Sequence, residues 1–446
     1  MSQHAVSASA QVLCPQCQHL LPSYDTDHSA YCGCPRCGAF FEQHPFRKPA
    51  VLRTFQERPP QELPLPLGSA GTLLGTAYQV VGYMLRKEAQ TAARWEEYML
   101  WQPGTTVHHQ LAVYEGHWVL LAPTTEQIKV GKPLRNCQRA YSKQGIFALY
   151  NRYSPQILCA QGEFDWNILE DEQLTVWEFI DPPLMLVRAM DGGQQGHVHW
   201  YLGRHVEPQQ IAEAFGLPPN QIPRPYSTGA VQPPPGESQW PAVKKVALWA
   251  ALLLVATHLF LMAWGNETVL DQEFTSPVHQ ELTTGTSSIV EQPVLVSPSF
   301  TVPGTGALSI DLWADINNDW IDLPFTVVNE QTGQYYEITR GMEYYSGVEG
   351  GESWSEGSKD TDALLNSVPA GRYHLNFYPS TNDANTNPIP FRVKVLARAS
   401  CGSNTVLALV LLSLYPIIIY LRRSSHERER WQNSDYSPVP EPESTS

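Results

Sequence analysis

Two stretches of the chain carry no charge long enough to matter more than any other pattern in it. Val246 to Trp264 reads VALWAALLLVATHLFLMAW, with no Asp, Glu, Lys or Arg. About 20 apolar residues in a helix cross a bilayer core. A run from about Thr405 to Leu421 repeats the signal, with Pro416 inside it. Proline is tolerated in a membrane helix, because neighbouring groups can satisfy the freed carbonyl. The remaining apolar positions alternate instead. Short aromatic and β-branched runs lie at Thr76–Leu85, Trp95–Trp101, Gln110–Tyr114, His117–Leu121, Gly145–Tyr150, Gln156–Ala160, Gln173–Phe179, Leu184–Ala189 and His197–Leu202. Period two separated by turn residues predicts antiparallel strands in a barrel or sandwich. One helix closes this series. Pro208 stands at its first turn and Gly216 at its end, the expected asymmetry of helix start and stop.

Alternation resumes between the two apolar runs, at Val294–Val296, Ala307–Trp313, Leu323–Val328, Gln334–Ile338, Arg372–Tyr378 and Pro390–Val395. Asn329 to Gly333 predicts a hairpin turn. The even spacing puts Leu308, Ile310, Leu312, Phe325, Val327, Tyr373, Leu375 and Phe377 inward. A β-sandwich of jelly-roll or immunoglobulin-like type is expected.

Composition sharpens this division. The 446 residues carry a net charge of −15, which argues against a nucleic-acid binder relying on phosphate contacts. Between the apolar runs, acidic residues outnumber Lys plus Arg roughly three to one, which marks a separate module. Eight cysteines are present, five of them before residue 40. Cys14-Pro-Gln-Cys17 and Cys34-Pro-Arg-Cys37 are two CxxC pairs, and four thiolates close a tetrahedral Zn(II) site with no open position. A zinc ribbon with a structural ion is the expectation, and a redox CxxC is the alternative. Cys32 is a spare, either a bystander or a competitor of Cys34.

Within the strand series, Tyr78-Gln-Val-Val-Gly82, Trp95-Glu-Glu-Tyr98, Gly162-Glu-Phe-Asp-Trp166, Pro182-Pro-Leu-Met185, Trp200-Tyr-Leu-Gly203 and Ala214-Phe-Gly-Leu217 resemble the bacterial family called domain of unknown function 4178, over about residues 67–220. The resemblance implies a mostly β module that accompanies zinc ribbons and membrane segments. It carries no active site with it.

The full layout expected is mainly β. Residues 1–45 form the ribbon, 46–66 a Pro-rich linker, 67–220 the β-rich module and 221–243 a Pro-rich tether. Membrane helices at 244–265 and 403–421 flank an acidic sandwich at 266–398, and 422–446 form a disordered tail. No basic and apolar leader opens the chain, so no signal peptide is expected. Lys244–Lys245 and Arg422–Arg423 lie at the outer ends of the two spans, which puts both termini in the cytoplasm of a bacterial inner membrane.

Several groups invite chemistry. His197 and His199 share one strand face, with His205 nearby, and could bind metal. Asp315, Asn317 and Asp319 alternate as in a calcium loop, but Trp320 stands where Gly is needed. His258 is the one ionisable group within the first span, a functional hint by default. Glu96 and Glu97 point to opposite faces of a strand and make no acid–base pair. No catalytic residue is named. A non-enzymatic scaffold or envelope-state sensor is the leading expectation, with the bilayer and protein partners but no nucleic acid. The rival is a membrane-anchored enzyme with its site in the β-module. A pocket holding polar groups from several strands favours the enzyme, and a filled barrel favours the scaffold.

Overall fold

The computed structural model describes residues 10–44, 46–133, 138–191, 198–277, 294–381, 387–400 and 402–438. The chain divides into two units, Met1–Trp240 with Ile418–Ser446, and Pro241–Ile417.

The first unit is built on an antiparallel sheet of fifteen strands. Its central strand, Thr76–Glu88, is buried along most of its length, as a nearly continuous apolar run demands when both faces are covered. Arg94–Trp101, His108–Tyr114, His117–Pro123, Val198–Val206, Leu184–Asp191, Leu174–Asp181 and Gly145–Tyr153 follow it in spatial order. Pro155–Phe164 lies on its other side. The order is an open path from Lys129–Val130 to Arg47–Thr54, so the sheet has two ends.

Alternation sorts side chains to two faces. On one face Tyr83 meets Tyr98 across the ladder at 5.2 Å between rings, and Tyr98 stacks on Trp118 at 5.8 Å. The helix Pro208–Phe215 packs there through Ile211, Ala212 and Phe215. Its ends obey the sequence signals. Glu207 and Gln210 form a capping box, and Gly216 closes the helix at φ +64, a left-handed conformation that glycine adopts without penalty. The opposite face lines the cavity described below.

The cysteine-bearing segment does not stand apart. Its strand Tyr31–Gly33 pairs with Gly162–Phe164 and continues the large sheet. Gly33, Gly162 and Gly82 meet in one row across three strands. A Cβ on Gly162, at φ +84, would lie 2.3 Å from the Val81 carbonyl oxygen. The close approach of these strands therefore requires glycine there. Beyond lies Ala39–His44, and then Arg47–Thr54, an edge strand where the sequence predicts a linker. All eight of its residues are exposed, so it has no apolar alternation to betray it.

The C-terminal segment also departs from expectation. The helix Gly402–Gln432 runs eleven residues beyond Leu421, and Arg430 and Trp431 near its end are buried. The disordered tail predicted for 422–446 is thus ordered as far as Pro438, and residues 439–446 lie outside the described ones.

The second unit holds a β-sandwich. Glu267–Thr275, Pro390–Ala397, Gly306–Ala314 and Asp360–Val368 form one sheet, and the other centres on Asp319–Asn329 between Gly371–Phe377 and Tyr335–Glu349. All eight residues expected inward are buried in its core. Asn329 Oδ1 accepts from the backbone of Gln331 and Thr332, and Gly333 closes the hairpin turn. Tyr373 donates its hydroxyl hydrogen to the Pro369 carbonyl at 3.0 Å, the corner device of immunoglobulin-like sandwiches. The helices Trp240–Gly265 and Gly402–Gln432 are long and apolar enough to cross a membrane, and their apolar windows are not buried in protein. His258 lies near the start of the second helix: a Cβ on Gly402 would be 4.0 Å from its Nε2.

Candidate functional site

Two constellations stand out in the first unit. The first is the thiol cluster. Gln18 N–H donates to the Cys14 carbonyl and Gly38 N–H to the Cys34 carbonyl. These two matching turns, closed by positive φ at Gln18 and Gly38, present their sulfurs to a common point. Cys14 Sγ lies 3.6 Å from Cys37 Sγ, and Cys17 Sγ 3.7 Å from Cys34 Sγ. All four sulfurs fall within 4.8 Å of one another. A tetrahedron with metal–sulfur bonds of about 2.3 Å has sulfurs about 3.8 Å apart, so the residues fit a four-coordinate ion. Cys32 is outside this group. It is buried, accepts from Gln43 Nε2 at 2.7 Å, and burial pushes its thiol up to about 12.

Among the described residues, no other His, Cys, Asp or Glu group converges to metal distance. His199 is exposed at the cavity rim, and His205 is buried beside His117, with ring centroids 6.3 Å apart. His197 lies outside the described residues. Asp315 and Asp319 bring no described cluster together; in this loop Asn318 Oδ1 instead accepts from Ser346 N–H.

The second constellation is a cavity of about 950 Å³ on the sheet face opposite Tyr98. Its centre is an ion triad. Arg86 Nε lies 3.2 Å from Glu97 Oε2, and its Nη2 donates to Asp171 Oδ2 at 2.5 Å. Trp95 Nε1 donates to Glu97, and Trp166 Nε1 to Asp171, at 2.7 and 3.1 Å. Burial pushes the Glu97 carboxyl up, and Arg86 opposes that shift. Beside the triad, Glu178 accepts from Tyr153 Oη at 2.9 Å. Burial is the main cause that pushes Glu178 up to about 7; Glu97 and Glu88 add to it, and Tyr153 opposes it.

His117 and His205 line another part of the wall. His117 Nε2 donates to the Ser227 carbonyl at 2.9 Å. Burial lowers both imidazoles, His205 to about 4, so both are neutral at pH 7. Ser227 to Val231 cover this side, together with Asn433 and Asp435. They are held by Arg430, which donates to the carbonyls of Gly229, Ala230 and Gln232.

A chain of polar contacts links the cavity wall to the cysteine-bearing segment, which does not itself line the cavity. Glu163, buried, accepts from Ser23 Oγ and from the backbone of Tyr24 and Asp25. Asp25 then lies 2.9 Å from His28 Nδ1 and 3.2 Å from His108 Nε2, and His108 Nδ1 lies 3.4 Å from Asp165 on the cavity rim.

Sequence reasoning missed Arg86, Asp171, Glu178 and Tyr153. The available signal was a charge at the inward parity of an apolar strand: Arg86 follows Met84 by two positions, and Glu178 follows Val176 by two.

Comparison with curated proteins gives no match to the chain. Gly162-Glu-Phe-Asp-Trp166, which grips the cysteine segment through Glu163 and sets Asp171 through Trp166, falls inside a stretch that matches a family model. Over residues 66–208, roughly a third of the chain, this protein resembles the family described as Domain of unknown function (DUF4178).

Proposed function

We propose that this chain is an integral protein of the bacterial cytoplasmic membrane that senses a small molecule in the cavity of its β-module. The observation that carries the reading is the composition of the cavity wall. Ser227–Val231 precede the first apolar helix by about ten residues, and Asn433 and Asp435 directly follow the second. A ligand touching both would bias the segments that lead into the two helices, and differential contact is what shifts a conformational equilibrium. The apolar helices support anchoring, since neither apolar window is buried in protein. Lys244–Lys245 and Arg422–Arg423 favour cytoplasmic termini.

Zn(II) held by Cys14, Cys17, Cys34 and Cys37 fits this reading as a structural ion. Bound there, it supplies rigidity and no open coordination position. The acidic sandwich serves as the outward module, suited to a protein or glycan partner and repelled by anionic lipid.

The test is a thermal-shift screen of the full chain in detergent against small molecules of varied charge. Hits should stabilise the wild type and lose much of their effect in Ala112→Trp, which places an indole inside the cavity. A screen without hits, or hits that stabilise both proteins equally, would remove the sensor reading.

One observation favours a second reading. A carboxyl that titrates near pH 7 in a cavity, hydrogen-bonded by Tyr153, is what general acid–base chemistry uses. Conversion of a hit to a new product by the wild type but not by Glu178→Gln, each measured at a saturating concentration of the hit, would replace the sensor with an enzyme.

A further inference from the structure

We infer that the ligand of the β-module cavity is an organic ammonium ion, held by carboxylates and aromatic walls. This rests on the small-molecule reading above and gives the site its substrate class.

Charge is the first argument. Among the described residues, the lining contains eight carboxylates, from Glu88 to Asp435, against the one guanidinium of Arg86 and no lysine. Arg86 is consumed by Glu97 and Asp171. Of the others, Asp165 faces the His108 imidazole, and the rest face no Lys or Arg among the described lining residues, so an anion entering the cavity meets like charge on several strands.

Hydrogen-bonding capacity is the second argument and is independent of the first. His117 is only 5% exposed, and its Nδ1 has no hydrogen-bond partner among the described residues. Its Nε2 carries the hydrogen given to the Ser227 carbonyl. In a neutral imidazole the other nitrogen is then an acceptor. An orphaned buried acceptor calls for a donor from the ligand, and an ammonium N–H is such a donor while a carboxylate or phosphate oxygen is not.

The walls agree with this. Trp95, Tyr114, Tyr150, Tyr153, Trp166 and Tyr201 line the same space. Aromatic faces attract cations, more strongly when water is excluded. A volume of about 950 Å³ admits a molecule larger than a simple amine, and carboxylates on several strands match a cation with more than one charge.

The experiment uses the full chain in detergent and three probes of one length: 1,6-diaminohexane, hexanedioate and 1,6-hexanediol. Calorimetric titration should show saturable binding of the diamine at least tenfold tighter than the diol, and none of the dianion. Glu88→Gln and Glu178→Gln should each weaken the diamine severalfold while keeping the wild-type circular dichroism spectrum. Equal or tighter binding of the diol or the dianion overturns the cation assignment and leaves the small-molecule reading standing. So does diamine affinity unchanged in both variants. Absence of binding by all three probes also overturns it, and the broader screen then decides whether a ligand site exists at all.

Discussion

The hydroxyl of Tyr150 donates to the carbonyl oxygen of Arg430 at 3.0 Å across 280 positions of sequence. The Tyr150 ring also lies 5.5 Å from that of Trp431, and Ser434 Oγ donates back to the Tyr150 carbonyl. The strand Gly145–Tyr153 thus holds the end of the last helix against the β-module. Arg430, fully buried, ties the same turn to Gly229, Ala230 and Gln232.

Arg430→Met keeps much of the volume and leaves three carbonyls without their donor. Hydrogen bonds from charged groups contribute about 1.5–3 kcal/mol each, so this change should cost more than Tyr150→Phe, expected at about 1 kcal/mol. Amide exchange in peptides covering 227–235 should quicken at least tenfold in the methionine variant. Exchange equal to wild type would show that the tether is held by other contacts.

Metal analysis should find one zinc per chain. Replacing both Cys14 and Cys17 with Ser should abolish it and unfold the segment, because metal binding in such modules is folding energy. Cys32→Ser should retain full zinc, since that thiol is engaged by Gln43 outside the cluster. Loss of zinc in Cys32→Ser, or its retention in the double variant, contradicts the assignment.

The pH dependence of stability should carry the mark of Glu178. Its folded value of about 7 lies above the ordinary carboxylate value, so the folded state binds the proton more tightly than the unfolded chain. Its contribution is therefore most favourable at low pH, falls as pH rises from about 4.5 to 7, and is flat above. Glu178→Gln should stabilise the protein more at pH 8 than at pH 5, by about 2–3 kcal/mol at ~1.4 kcal/mol per unit. Chemical denaturation at the two pH values measures it, and a pH-independent difference rejects it.

Residues 266–398 contain no cysteine, and their apolar core is that of the sandwich alone. Expressed alone, they should unfold in one cooperative transition that a chelator leaves unchanged. Phe377→Ala, at a fully buried site, should cost about 3–5 kcal/mol. A segment that folds only when calcium is added would restore the Asp315–Asp319 loop as a metal site.

Orientation can be read with epitopes. An insertion between Gly350 and Gly351, at a turn with open space around both, should be removed by protease from intact spheroplasts. A tag after Ser446 should survive until the membrane is broken. The reverse pattern would invert the assigned topology.

The strands and the helix Pro208–Phe215 were legible because apolar periodicity is a local signal. The sandwich core was readable for the same reason, residue by residue from Leu308 to Phe377. Arg47–Thr54 was not, since an exposed edge strand with Pro49 carries no alternation and pairs on one side only. The order in the C-terminal segment was hidden for a different reason. Arg430 and Trp431 sit in a polar stretch, and their partners lie about 200 to 280 positions away. The cavity was invisible because a strand face turned toward an enclosed space alternates just as one turned toward solvent does. The thiol cluster needed no tertiary knowledge, because CxxC spacing encodes its own turns.

The glycine row from Gly33 through Gly162 to Gly82 makes the cysteine segment the outermost part of a shared sheet. Whatever holds the four thiols together therefore also guards the backbone of Pro155–Phe164. Without the strand Tyr31–Gly33, amide and carbonyl groups at 162–164 would face solvent unpaired, a template for a second chain. Chelation should then produce aggregates nucleated at that border rather than a soluble chain with one frayed end.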